Sequence, residues 1–147
     1  MQDNINSLKF YGKALTIAPA AADTIGNFLR DTGTSPRDYD LILTGDLGLV
    51  GTECLYELLG SDGVDLSGVH NDAGLMIFDR VAQDVHAGGS GCGCCASVLC
   101  ASVLPDMLAG RLKNVLLIAT GALMSPTSSM QGESIPAVAH LVNIVRA

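Results

Sequence analysis

The sequence has no tryptophan, only three tyrosines and three phenylalanines, and few charges: Asp, Glu, Lys and Arg make up 16% of its 147 residues. Basic residues are the scarcer kind, 8 Lys and Arg against 15 Asp and Glu, for a formal net charge of −7. That balance speaks against a nucleic-acid binder, whose phosphate contacts need a basic footprint. It also gives no attraction to anionic lipid. An anionic ligand would have to be held by local backbone N–H groups. Long apolar runs are missing as well. Val98 to Leu104 and Val115 to Ala119 fall far short of the ~20 residues a membrane-spanning helix needs. No signal peptide is expected, because Met1 to Ser7 is polar and carries an acid.

What the chain does have is apolar surface. Hydrophobic residues reach 48%, a high share for a lone domain with room for one core, which would bury ~68% of the unfolded surface. The excess predicts a buried partner interface, with self-association into a homo-oligomer the simplest form. Five cysteines, an odd number and mostly clustered in one apolar segment, point to a reducing, intracellular compartment rather than a disulfide framework.

That segment, Val85 to Gly110, organises the rest. It opens with Gly88, Gly89, Gly91 and Gly93 and continues through Cys92, Cys94, Cys95, Ala96, Ser97, Val98, Leu99, Cys100 and Ala101. Apart from His86 nothing between Val85 and Leu104 can carry a charge. A surface helix shows a polar face every turn, so this one is expected to be a central helix buried all round, its small side chains allowing close approach on several sides. The glycines before it would make a strand-to-helix turn with N–H groups facing open space, a cradle for an anion.

Two chemical readings compete there. Three thiols in four residues suggest a metal or redox site, but the spacing lacks the paired C-x2-C form and a clear fourth ligand. On a helix each residue turns ~100°, so positions two apart diverge by ~200°. Cys92 at the helix start is the alternative, a nucleophile activated by the macrodipole, although no base can be assigned to it.

Met1 to Thr16 is mixed and low in signal, and reads either as a partly disordered, irregular stretch or as an altered leader. A helix is expected from Ala20, with Ile25, Phe28 and Leu29 inward and a stop at Gly33. Ser35 and Pro36 make a turn, and Asp40 to Thr44 a buried strand ending at Gly45-Asp46. A second helix, Val50 to Leu59, would bury Cys54, Leu55, Leu58 and Leu59 and close at Gly60. Ser61 to Gly74 is turn-rich and holds His70, Asn71 and Asp72. Leu75 to Phe78 is a short strand or loop. Lys113 to Ala119 is a clear strand, Met124 to Ile135 a loop, and Ala137 to Val145 a last apolar strand. The pattern predicts an α/β fold with a mainly parallel, mixed sheet. Ligands in such sheets bind beyond the carboxyl ends of strands, which points at Gly45-Asp46, Gly88 to Cys92 and Gly121 to Ser125.

APAAADTI, YDLILTGDLG, NDAGLMIFD, AGGSGCGC and LLIATGALMSP, taken together, resemble the second half of the stage V sporulation protein AD family of spore-forming Firmicutes. The resemblance runs from Ile17 to the end and implies a C-terminal, thiolase-like domain over 17–147, preceded by a leader over 1–16. It also implies that the Gly91 to Ala109 segment is one of the helices sandwiched between two halves. His86 would stand where condensing enzymes of the GHxxGxxG type carry a histidine. The half with the nucleophilic cysteine is missing, and no cysteine or histidine follows in the Gly121 loop. The resemblance therefore implies a non-catalytic protein without cofactor, taking part in binding dipicolinic acid, with calcium, and moving it into the spore. It would work with other stage V sporulation A operon proteins, peripheral to the inner spore membrane.

Candidate ligand residues on this reading are Asp46, Asn71, His86, Gly88, Gly89, Ser90, Gly91, Cys92 and Gly121, with no metal ligand. Each has a plainer role beside the functional one. Asn71 and Asp72 sit in a turn-forming string. Asp46 could cap the helix that follows. The glycines could serve close packing alone, and His86 could be satisfied by a loop carbonyl. Ser125, Ser128 and Ser129 could be loop solvation, and His140 a core or interface histidine. Asp72, Asp79 and Asp84 are too loosely spaced for a calcium loop. Two other functions stay open: the second-half subunit of an acyl-condensing enzyme, and a cysteine-cluster metal or redox protein.

Overall fold

The computed structural model describes residues 2–122, 130–131 and 136–147, with residues 2–16 as backbone alone. The loop expected over 124–135, with Ser125, Ser128 and Ser129, lies outside the described residues except for 130 and 131.

The first helix, α1, spans Gln2–Thr32. The stretch expected to be irregular is thus the helix's first half. Residues 2–16 contain no proline, and extending an existing helix adds one hydrogen bond for each residue fixed. Pro19 lies within α1, not ahead of it. The stop at Gly33 is as expected: this residue is left-handed, at φ +66°, and the Thr34 N–H closes back onto the Leu29 carbonyl at 3.0 Å.

Strand β1 is Leu41–Thr44, and α2 runs Gly48–Ser61, two residues longer at each end than its apolar periodicity suggested. Leu55 and Leu59 are buried as expected, while Leu58 is 38% exposed and Gly60 lies inside the helix. The turn-rich stretch contains a strand that periodicity could not reveal, β2 at His70–Asp72, because three residues, all of them polar, carry no alternation signal. α3, Ala73–Met76, takes the place of the strand or loop expected at Leu75 to Phe78.

The central segment is a rod of three parts: α4 at Cys94–Val98, a π-helical turn at Leu99–Val103 and α5 at Leu104–Leu108. Pro105 accounts for the π turn. Its missing N–H leaves a gap in the α ladder, and the preceding Leu104 N–H reaches back five residues to the Leu99 carbonyl. Strands β3, Asn114–Ala122, and β4, Ala137–Val145, follow.

The described residues form a four-stranded sheet in the order β2-β1-β3-β4. β1 is parallel to both neighbours, and β4 runs antiparallel to β3. The fold is α/β with a mainly parallel, mixed sheet. α1 and α2 cover one face, Ile17, Ile25, Leu55 and Leu59 clustering with Ile42, Leu116 and Ile118 of the sheet. The rod covers the other, with Cys94, Val98, Val103 and Met107 against Leu43 and Val115.

The expectation of a helix buried all round is not met in this chain. Among the described residues, only one side of the rod is covered. Ala96, Ser97, Cys100, Ala101 and Leu104 are exposed, and Leu108 is 80% exposed. A segment without charge as far as Leu104 favours burial, but it does not by itself fix which of its sides the chain covers.

Candidate functional site

The carboxyl ends of β1, β2 and β3 lie side by side, with Thr44 in register with both Asp72 and Ile118. Gly45 and Asp46 continue β1. A Cβ on Gly45 would run into the Thr120 side chain and lie 2.9 Å from its backbone nitrogen, so only glycine lets β1 pass the end of β3.

Asp46 ties that end to the glycine run. Its Oδ2 accepts from the Ser90 hydroxyl at 2.7 Å and the Gly91 N–H at 3.1 Å. The Asp46 N–H donates to Thr120 Oγ1 at 3.1 Å, and the Thr120 hydroxyl faces Asp46 Oδ1 at 3.4 Å. Asp46 does not cap α2. That task falls to Asp72, which reaches across from β2.

Asp72 is fully buried and accepts four hydrogen bonds. Gly48 N–H (2.9 Å) and Gly74 N–H (3.0 Å) reach Oδ1, while Leu47 N–H (3.0 Å) and the Thr44 hydroxyl (2.7 Å) reach Oδ2. It thereby satisfies the first amides of α2 and caps α3. Burial pushes its carboxyl up to about 6, against the pull of the four donors. Beside it His70 Nε2 lies 3.0 Å from Thr44 Oγ1, and Nδ1 lies 3.0 Å from the Tyr56 hydroxyl. Burial lowers His70 to about 4, so the ring is neutral near pH 7.

The glycine run is a strap across these turns. Gly89 N–H donates to the Gly74 carbonyl at 2.7 Å, and Leu49 N–H to the Ala87 carbonyl at 2.8 Å. Gly88 sits at φ +112°, with the Gly74 carbonyl where a Cβ would go. The strap is therefore held backbone to backbone on Leu49 and Gly74. Gly88 N–H is also taken, by the Val85 carbonyl at 2.9 Å.

Among the expected site residues, the structure brings Asp46, Ser90 and Gly91 into direct contact, with Gly88 and Gly89 seated beneath and Gly121 next in chain to Thr120. Cys92 follows at the exposed edge. His86 stands apart: it is exposed at φ +44°, its ring faces Asp84 at 3.6 Å, and its carbonyl accepts from Arg80 Nε at 3.0 Å. Asn71 is exposed, its Oδ1 accepting from the Asp72 N–H. Thr44, His70, Asp72 and Thr120 are polar residues of this region that pattern reading did not place there. The one available signal was Asp72 immediately before an apolar AGLM run, the mark of an N-cap.

The cysteines do not gather. Cys94 is buried, Cys92 and Cys100 are exposed, and the half-buried Cys95 thiol is pushed up by burial and then by the charges of Asp46 and Asp72. Among the described residues, no three His, Cys, Asp or Glu groups converge as a metal site would require. Nor is any described helix long and apolar enough to cross a membrane.

Residues 5–145 match the family model described as Stage V sporulation protein AD (SpoVAD). The chain belongs to this family. It is 46% identical over 131 residues to Stage V sporulation protein AD of Bacillus subtilis (strain 168), an alignment covering 89% of this chain and 38% of that relative. The chain therefore spans about two-fifths of the length of the curated relative it matches. The matched range includes the strap, β1 and Asp72.

Proposed function

We propose that this chain is a non-catalytic sporulation protein that takes part in binding dipicolinic acid, with calcium, for uptake into the developing spore. The observation that carries the reading is family membership across residues 5–145. Three physical features favour it over acyl-condensing chemistry. Cys92 is exposed and has no hydrogen-bonded base among the described residues. The Cys95 thiol is held protonated by burial and its acidic neighbours. The best-built polar contacts, those of Asp46 and Asp72, are acceptor sites already filled by backbone and hydroxyl donors.

Charge also bears on the form of the ligand. Dipicolinate alone is a dianion, and it would meet Asp46 at the rim and a chain of net charge −7. A one-to-one complex with calcium is neutral and avoids both repulsions. The carboxyl ends of parallel strands are where such a ligand would dock. We assign the partner roles in the same way: other proteins of the stage V sporulation A operon at the inner spore membrane, and a second copy of this chain, would cover the exposed side of the rod.

Titration calorimetry with calcium dipicolinate and with dipicolinate alone tests the ligand reading. This chain and the longer Bacillus subtilis relative would be measured side by side. Saturable heat is expected from the calcium complex. Absence of heat from both proteins with both ligands removes the ligand claim.

A further inference from the structure

Asp72 is connected to the surface by an unbroken line of hydrogen-bonding groups. Tyr56, 41% exposed on α2, meets His70 Nδ1 at 3.0 Å; His70 Nε2 meets Thr44 Oγ1 at 3.0 Å; and Thr44 meets Asp72 Oδ2 at 2.7 Å. Each intermediate group can both donate and accept. Thr44 and Asp72 have no exposed surface, so solvent does not reach the carboxylate directly.

We propose that Tyr56, His70 and Thr44 form a proton wire through which Asp72 exchanges its proton with solvent, the His70 ring changing tautomer each time Asp72 changes charge. With Asp72 ionised, the Tyr56 O–H donates to Nδ1, Nε2–H donates to Thr44 Oγ1, and the Thr44 O–H donates to Oδ2. A proton from hydronium then joins the Tyr56 oxygen. The original Tyr56 proton passes to Nδ1, the Nε2 proton to Thr44 Oγ1, and the Thr44 proton to Oδ2. One water is released. Tyr56, His70 and Thr44 end neutral, as they began, and Asp72 has become a carboxylic acid.

The three links now run the other way: Oδ2–H donates to Thr44, Thr44 to Nε2, and Nδ1–H to Tyr56. No bond to a backbone amide is lost. Leu47 N–H keeps the remaining lone pair of Oδ2, and Gly48 and Gly74 keep Oδ1. This reversibility gives the neutral acid a full set of partners, in keeping with a carboxyl pushed up to about 6 despite four donors.

Few other groups face this line. Asp46 adjoins the Leu47 amide, and the Cys95 thiol of α4 feels both Asp46 and Asp72. Asp65 acts on Tyr56. α3 offers the Gly74 amide, and β3 offers Thr120, which is engaged with Asp46. No cation among the described residues acts on Asp72 or His70. Loss of the Asp72 charge would remove one of two negative charges beneath the strap. That consequence for an anion rests on the ligand reading, whereas the wire does not.

The test is nuclear magnetic resonance on the 147-residue chain, following Asp72 13Cγ and both His70 ring nitrogens from pH 4.5 to 8. The two residues are expected to share one midpoint, with His70 exchanging Nε2–H for Nδ1–H while remaining neutral. Thr44→Ser should retain the shared midpoint, and Thr44→Val should abolish the tautomer change. A His70 ring that keeps one tautomer through the Asp72 midpoint, or that becomes imidazolium there, overturns the wire even if Thr44→Val does not fold. A tautomer change surviving in folded Thr44→Val overturns it equally.

Discussion

Replacing Asp72 by asparagine sets two opposing effects against each other, and pH separates them. The amide NH2 must face one pair of donors. Turned toward Thr44, it can donate to that hydroxyl and leaves only Leu47 N–H without an acceptor. Turned the other way, it orphans Gly48 N–H, while Gly74 N–H keeps the Gly45 carbonyl at 3.2 Å, and the NH2 itself faces two donors with nothing to donate to. The first orientation is preferred, at a loss of roughly 1–3 kcal/mol for one buried donor. Against this stands the burial of charge. A carboxyl at about 6 in the folded chain and 3.8 when unfolded binds its proton more tightly when folded. Its contribution is therefore fully present below pH 3.8 and lost as pH rises through 6, a change of roughly 3 kcal/mol. His70 titrates in the opposite sense, being lowered to about 4, but it is common to both proteins and cancels to first order in their difference.

Urea unfolding of the wild type and Asp72→Asn at pH 4, 5, 6, 7 and 8 reads the result. The variant should be less stable by roughly 1–3 kcal/mol at pH 4 and equal to or more stable than the wild type by pH 7. If its deficit grows with rising pH instead, the four donors outweigh burial, the carboxyl lies below 3.8, and the reasoning is wrong.

Three further outcomes follow from named contacts. Leu55→Ala empties a fully buried position and should cost about 2–5 kcal/mol in chemical denaturation, whereas Leu108→Ala, on the open side of the rod, should stay within about 0.5 kcal/mol. Equal losses would mean that the rod is covered on both sides in solution. Gly88→Ala places a Cβ against the Gly74 carbonyl at a left-handed φ and should destabilise by roughly 1–3 kcal/mol, with a melting temperature as the readout; no change would show that the strap is not seated there. Asp46→Ala should speed Gly91 amide hydrogen exchange about tenfold with little change at Gly89, whose acceptor is Gly74; slowed or unchanged exchange at Gly91 would argue against the Asp46 contact.

The longer elements were legible because their signals are local. The stop of α1 at Gly33, β1, β3 and β4 follow from glycine punctuation and apolar runs. β2 was not legible, since His70–Asp72 is a strand only through its pairing with Leu43 and its neighbours. The site divides the same way. Gly45-Asp46 and the glycine run could be named from the strand-end rule, yet Asp46 was read as a possible cap for α2, while the cap comes from Asp72, two dozen residues downstream and one strand over. His86 and Asn71 looked equally polar in sequence and turn outward.

Residue order alone determined the α/β class, the stop of α1 at Gly33 and of β1 at Thr44, and a small-residue segment without charge as far as Leu104. These depend on periodicity and on the backbone freedom of glycine and proline, which act over a few neighbours. Tertiary structure alone decided that Asp72 joins two turns, that His70 and Thr44 connect it to Tyr56, and that one side of the rod stays open. Those outcomes depend on strand order and on which groups lose water together, and neither is encoded in any short stretch of chain.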